Sequence, residues 1–225
     1  MKLIVMGGNG FIGSEICRQA IARGLRVVSI SRRGAPKRRE PWMDDVLWFK
    51  ADIFDTHAWK GVLEKGDQVV HTVGILLEKR KKKLTYDRMN AESVIVVAYT
   101  TAEAGISVFA MISAANSPPF IKGYIHAKRK AEEYLKNQPF RSVIFRPGFV
   151  YGPGRRGTAF IAALTRFGLH IPVAGKMVET YAPVHVSHLA DAVLEALEKP
   201  EIEGILDINT IRRTAQTVSG REVHT

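Results

Sequence analysis

Apolar residues fall into short, nearly continuous runs, separated by longer stretches in which they recur every three or four positions. The runs are Lys2–Met6, Leu25–Ile30, Val46–Lys50, Gln68–Val73, Ser107–Ile112, Ser142–Arg146 and a short one at Ile205–Ile208. The stretches between them predict helices over about 12–23, 55–64, 87–104, 122–137, 158–168 and 187–198, the last stopped by Pro200. A strand that is apolar on both faces must be covered on both, and a parallel neighbour is reached only through a crossover. The alternation therefore predicts an α/β fold, a doubly wound parallel sheet, with ligand at the carboxyl ends of its strands. That rim would collect Gly7–Gly13, Ser31–Arg33, Asp52, Val73-Gly74, Ser113 and Pro147-Gly148.

The pattern changes over Gly148–Pro183, which is rich in glycine and punctuated by Pro153, Pro172 and Pro183. Within a single domain spanning 1–225, this stretch reads as a small substrate-facing lobe over 148–183. Phe160, Phe167, Leu169 and Ile171 supply either the core of that lobe or an apolar wall for a substrate. The polar end, 209–225, shows no period and is expected to be loosely held.

The first run leads into Gly7-Gly8-Asn9-Gly10-Phe11-Ile12-Gly13 and then a helical pattern, so a glycine-rich turn joins strand to helix. Such a turn suits a dinucleotide. Gly7 permits a tight exit from the strand, Gly10 lets backbone approach a pyrophosphate, and Gly13 lets the helix pack closely on the sheet. Phe11 and Ile12 belong to the same phosphate-facing turn. The second strand ends Ser31-Arg32-Arg33 without a carboxylate to accept from ribose hydroxyls. Two guanidiniums there suit a phosphate, which favours NADP(H), with NAD(H) as the other choice. Asp52, with Ile53, closes the third strand where a carboxylate can accept from an adenine amino group; as an alternative it caps the next helix.

Tyr124 and Lys128 are spaced YxxxK on a predicted helix, so phenol and ammonium share one face. The ammonium favours phenolate and so tunes the tyrosine for proton transfer, while also reaching a cofactor ribose. Ser113, at the end of the fifth strand, is placed to polarise a substrate carbonyl. His126 is expected to be exposed. His185 and His188 lack the cysteine or carboxylate partners that would complete a metal site.

The chain has 225 residues, 46% of them hydrophobic, enough for one well-buried domain. Its single cysteine, Cys17, excludes a disulfide framework. No run approaches the roughly 18 apolar residues of a membrane span, and the first strand begins at once, so a soluble chain without a leader is expected. The net charge of +11, densest at Lys79–Lys83 and Arg32–Arg39, calls for something acidic nearby. Phosphorylated cofactor, anionic membrane or acidic protein all fit; nucleic acid is disfavoured because the basic runs lack interleaved aromatics.

The glycine turn, the YxxxK helix with its upstream serine, Arg146–Gly154 and Val184–Val193 together resemble the short-chain dehydrogenase/reductase superfamily of Rossmann-type enzymes. The resemblance covers nearly the whole chain. Leu3–Gly13, Val46–Phe54, Val70–Glu78, Tyr86–Asn90 and Gly123–Glu132 are most similar to atypical members such as the fungal coenzyme Q biosynthesis dehydrogenase-like proteins. The nucleotide-binding accessory subunit of respiratory complex I is more distantly similar. The resemblance implies Ser113, Tyr124 and Lys128 as a catalytic triad, with Asn90 supporting a proton relay unless it is a structural hydrogen-bonder. It also implies cofactor contacts at Gly74 and Pro147.

Three functions follow: an NADP(H)-dependent oxidoreductase acting on a small carbonyl or hydroxyl compound, conceivably a lipophilic quinone or isoprenoid relative; a cofactor-bound structural or regulatory subunit of a quinone-biosynthetic or respiratory assembly; or a redox-neutral epimerase or dehydratase. The helices at 87–104 and 122–137 suit either the four-helix homodimer interface common in that superfamily or a well-packed monomer. The compartment expected is cytoplasmic for a prokaryotic protein, or the mitochondrial matrix side if a presequence has been removed.

Overall fold

A computed structural model describes residues 1–115, 122–153 and 183–222. Among them, the seven long runs become strands of one parallel sheet. In chain order the elements are β1 (Leu3–Met6), α1 (Phe11–Ala22), β2 (Val27–Ser31), β3 (Val46–Lys50), α2 (Thr56–Trp59) and β4 (Gln68–His71). A π-helical turn at Asp87–Glu92 then leads into α3 (Ser93–Glu103), followed by β5 (Val108–Ile112), α4 (Lys122–Leu135) and β6 (Arg141–Phe145). The short pair β7 (Val150–Tyr151) and β8 (Val184–His185) precedes α5 (Val186–Glu198), β9 (Gly204–Leu206) and α6 (Ile208–Glu222).

The strand order is β3-β2-β1-β4-β5-β6-β9, every pairing parallel, with β1 at the point where the order reverses. Successive side chains of each strand point to opposite faces, and the core splits accordingly. Leu3, Val5, Val108, Ala110 and Ile112 pack under α1, α5 and α6. Ile4, Met6, Phe109 and Met111 pack with α3 and α4 residues such as Val97, Ala131 and Leu135. This double cover is why the runs are apolar throughout.

Two expectations need correction. The stretch at 55–64 forms only one α-turn, extended by a 3-10 turn at Lys60–Val62, because Trp59 plugs the core and donates from Nε1 to the Ile53 carbonyl at 3.2 Å. The end of the chain is not a loose tail over 208–222: it is helix α6. Ile208, Ile211 and Ala215 are buried along one side of it, and Asp207 Oδ1 accepts from the Thr210 amide at 2.8 Å at its start. Three small or branched residues at helical spacing are enough to hold a polar helix against α5, a signal diluted by the polar majority. Nearly all of the lobe expected over 148–183, including the helix at 158–168, lies outside the described residues.

Candidate functional site

The glycine turn is shaped by what a side chain would strike. Gly7 has φ +92°, and a Cβ there would come within 2.8 Å of Thr72 Oγ1. A Cβ on Gly13 would run into the Gly7 carbonyl and stand 2.8 Å from the Gly8 Cα, which is how α1 is seated directly on the end of β1. Gly10 lies in extended backbone as the N-cap of α1, and a Cβ there would stand 3.0 Å from the Gly7 carbonyl. Gly8, to which the sequence assigned no role, is equally confined: a Cβ there would collide with Ser29 of β2. Among the described residues no side chain caps α1 and no acidic residue occupies its first turn, so the positive end of the helix suits an anion at the rim. Phe11 and Ile12 are half-buried on the same core face as α1.

Beside this turn, Asn9 Nδ2 donates to the Gly34 carbonyl at 2.9 Å and Ser31 Oγ donates to the same oxygen at 3.1 Å. The loop after β2 is thereby pinned, while Arg32 and Arg33 remain exposed above it. Asp52 is exposed and does not cap a helix; one of its oxygens accepts from the Phe54 amide at 3.1 Å in a local turn. The Ile53 side chain is buried in the cluster that holds Ile30 and Trp59, and its carbonyl accepts from the Trp59 indole. Pro147 is buried, with its carbonyl accepting from the Ala115 amide at 2.9 Å.

The other half of the rim is built from committed polar side chains. Helix α4 carries both Tyr124 and Lys128. Lys128 is 3% exposed and donates from Nζ to the Ile112 carbonyl at 2.8 Å. Burial pushes its pKa down to about 8, against the opposing pull of Glu132. An ammonium carries three protons, so this bond does not exhaust it. A Cβ on Gly74 would stand 2.7 Å from Asn90 Oδ1 and 3.4 Å from Lys128 Nζ. Gly74, Asn90 and Lys128 therefore converge at the mouth of β4, where only a glycine fits. Tyr124 is half-buried and meets the ring of Tyr86 edge-on, centroids 6.0 Å apart.

Two expectations about this half change. Asn90 sits in the π-helical turn, and its amide clamps one residue: Oδ1 accepts from the Ile75 amide at 2.8 Å and Nδ2 donates to the Ile75 carbonyl at 2.9 Å. The structural alternative is the one observed for its side chain. Ser113 is 4% exposed and its hydroxyl donates a hydrogen bond to the Glu132 carboxylate. Residue 113 continues the face of β5 that packs on α4, and Glu132 is one turn beyond Lys128, which brings the two together.

Glu132 was not identified from sequence. It is 2% exposed and is held by Arg146 Nη2 and by Arg129 Nη1, each at 2.5 Å. Burial alone would push its carboxyl up, but Arg146, Ser113 and Arg129 hold it below the usual carboxylate range. Arg129 also donates to the Ala114 and Ala115 carbonyls at 3.0 and 2.8 Å, tying α4 to the end of β5. A glutamate four residues after the lysine, with arginines one turn earlier and at 146, was the available signal.

His71, at the end of β4, is fully buried. Ser93 Oγ donates to the Met89 carbonyl at 2.8 Å and lies 3.3 Å from His71 Nε2, which assigns the imidazole proton to Nε2. Nδ1 has no partner among the described residues. Burial, with the neighbouring Lys128 charge, pushes the imidazole down to about 3. His126 is exposed. His185 caps α5: its Nδ1 accepts from the Ser187 amide at 3.3 Å and lies 2.6 Å from the Ser187 hydroxyl. No helix among the described residues is long and apolar enough to cross a membrane.

Comparison with known proteins agrees with this architecture. Residues 3–208 match the profile described as the NAD dependent epimerase/dehydratase family. A chloroplastic uncharacterized protein of Arabidopsis thaliana is 33% identical, covering 95% of this chain and 77% of its own length. MIOREX complex component 2 of Saccharomyces cerevisiae is 31% identical, covering 93% of this chain and 98% of its own. Among solved structures, the human epimerase family protein SDR39U1 with NADPH superposes with a TM-score of 0.61 at 20% identity, over 92% of this chain and 73% of its own.

Proposed function

Because the chain belongs to the NAD dependent epimerase/dehydratase family, we propose that it binds NADP(H) and exchanges a hydride with a small carbonyl or hydroxyl compound. The observation that carries this reading is the convergence of Gly74, Asn90 and Lys128 at the switch-point side of the sheet, next to a glycine turn that admits no side chain. The residues fit a dinucleotide. Gly7, Gly10 and Gly13 with the uncapped start of α1 would receive the pyrophosphate. Arg32 and Arg33 would grip a ribose phosphate, and Asp52 the adenine. When bound, the nicotinamide supplies or accepts the hydride.

The protein's own part is proton handling and positioning. Tyr124 would give a proton to, or take one from, the substrate oxygen. Lys128, charged at neutral pH and fixed by Ile112, would hold the ribose and favour the phenolate. Ser113 enters differently from the sequence expectation: while its hydroxyl donates to the Glu132 carboxylate, its oxygen can still accept a hydrogen bond from a substrate hydroxyl. A lipophilic substrate remains part of this reading because the lobe sequence is apolar.

That same commitment of Ser113 favours a second reading, a cofactor-bound subunit without turnover. The family description also admits a redox-neutral epimerase or dehydratase. Calorimetric titration separates them. Wild-type protein is expected to prefer NADPH over NADH, and Arg32→Ala/Arg33→Ala to lose roughly tenfold or more of NADPH affinity while keeping NADH. Equal binding of both nucleotides by both proteins would overturn the phosphate assignment. A screen of carbonyl compounds with NADPH, showing consumption abolished in Tyr124→Phe, is then expected. Cofactor that stays bound without net oxidation would point to the redox-neutral chemistry.

A further inference from the structure

The most concentrated charge in the molecule is not at the cofactor turn but in the segment between β4 and the π-helical turn. Lys79, Arg80, Lys81, Lys82 and Lys83 are all exposed. They form a compact knuckle: Lys79 and Leu84 exchange backbone hydrogen bonds at 2.8 and 3.3 Å, a 3-10 turn spans Arg80–Lys82, and Lys83 closes it with φ +55°. Arg80 pairs with Glu78 at 3.2 Å while its side chain stays 83% exposed. Lys79, Lys81, Lys82 and Lys83 have no carboxylate partner among the described residues. Next to the knuckle Leu77 is 48% exposed.

The base of the knuckle is rigid and reaches the candidate site. Glu78 Oε1 accepts from the Tyr86 amide at 2.8 Å, and Tyr86 Oη donates to the Leu76 carbonyl at 2.9 Å. The ring of Tyr86 is the one that meets Tyr124. The knuckle therefore stands on the rim, beside the mouth through which a substrate would pass.

We propose that this knuckle docks the protein on an anionic lipid bilayer, with Leu77 entering the headgroup layer and the mouth of the site turned toward the membrane. Three features select a bilayer. Side chains of a 3-10 turn fan out about 120° apart, so the cations do not converge on one phosphate; they suit an extended surface of many charges. An exposed leucine beside them matches the apolar part of an interfacial contact. No aromatic residue lies within 76–84 to stack a base. The net charge of +11 adds long-range attraction to the same surface. The orientation of the mouth rests on the proposed site, the membrane contact itself does not, and the readout is physical binding.

The test is co-sedimentation of the full chain with vesicles of phosphatidylcholine alone and with vesicles of equal parts phosphatidylcholine and phosphatidylglycerol. Binding is expected only to the anionic vesicles and should fade as salt shortens the screening length. Each cation removed is expected to cost roughly fivefold in partitioning, so Lys79→Gln/Lys81→Gln/Lys82→Gln/Lys83→Gln should fall below detection. Leu77→Ser should show a smaller loss that survives high salt. The variants should keep the wild-type Tm and NADPH affinity, which separates loss of docking from loss of fold or cofactor. Absence of wild-type binding, or undiminished binding of the quadruple variant, would overturn the proposal. Tighter binding to a single-stranded oligonucleotide than to the anionic vesicles would overturn it in favour of nucleic acid.

Discussion

The two halves of the sheet rim handle polar groups in opposite ways. From β1 to β3 the site is made by backbone that side chains would block, at Gly7, Gly8 and Gly13, while the charged residues Arg32, Arg33 and Asp52 stay exposed. From β4 to β6 the polar side chains are buried and bound to one another or to backbone: Asn90 to Ile75, Lys128 to Ile112, and Ser113 to Glu132 with two arginines. The first half is a backbone mould whose charged side chains Arg32 and Arg33 stand exposed toward solvent. In the second, Asn90, Ser113 and Glu132 are already paired, so these groups fix geometry before any substrate binds. Damage to the first half should show in binding, and damage to the second in stability.

The sharpest way to break that contrast is Glu132→Ala. It leaves Arg129 and Arg146 facing each other and Ser113 without its acceptor, and is expected to cost on the order of 3 kcal/mol in urea unfolding. The fraction that still folds should keep NADPH affinity. Loss of binding with unchanged stability would reverse the roles assigned to the two halves.

Gly13→Ala tests the other side. Its Cβ meets the Gly7 carbonyl, so the turn must open; a destabilisation of about 1–3 kcal/mol is expected, together with loss of nucleotide binding at concentrations that saturate the wild type. A variant that binds normally would show that the close seating of α1 is not what forms the phosphate site.

The buried half also sets a pH dependence of stability. His71 has an ordinary value of 6.5 and about 3 in the folded protein. Between these the unfolded chain takes up a proton that the native one refuses, so stability should decline as pH falls through that window. Glu132 acts in the same direction: its contribution is present above its ordinary value of 4.5 and is lost as pH falls through its lowered folded value. Lys128 titrates at the other end, near 8 when folded against 10.5 ordinarily, so between those values stability should rise with pH. Following the urea midpoint across the acid window, His71→Leu should flatten the slope by up to one proton relative to wild type. An unchanged slope would mean that His71 is not the group excluded from protonation.

Much of this was readable along the chain. Runs apolar on both faces require a doubly covered parallel sheet, and all seven reappear as its strands. The Gly7–Gly13 turn and the shared helix of Tyr124 and Lys128 follow from local spacing, because strand exit and helical periodicity act over a few residues. The same locality explains the failures. Polar composition concealed α6, whose helix depends on Ile208, Ile211 and Ala215 meeting α5. Alternation turns the Ile53 side chain into the core beside the exposed Asp52, which residue type alone does not show.

What only the tertiary structure decided is where each polar group sends its hydrogen bond. Whether Ser113 faces a substrate or a carboxylate depends on α4 bringing Glu132 under β5, and on Arg146 arriving from the end of β6. Whether Asn90 relays protons or clamps backbone depends on a π-helical turn laying it against Ile75. Periodicity determined the fold because burial of apolar area is additive and non-directional. Hydrogen bonds are short and directional, so their partners are fixed only when distant segments meet.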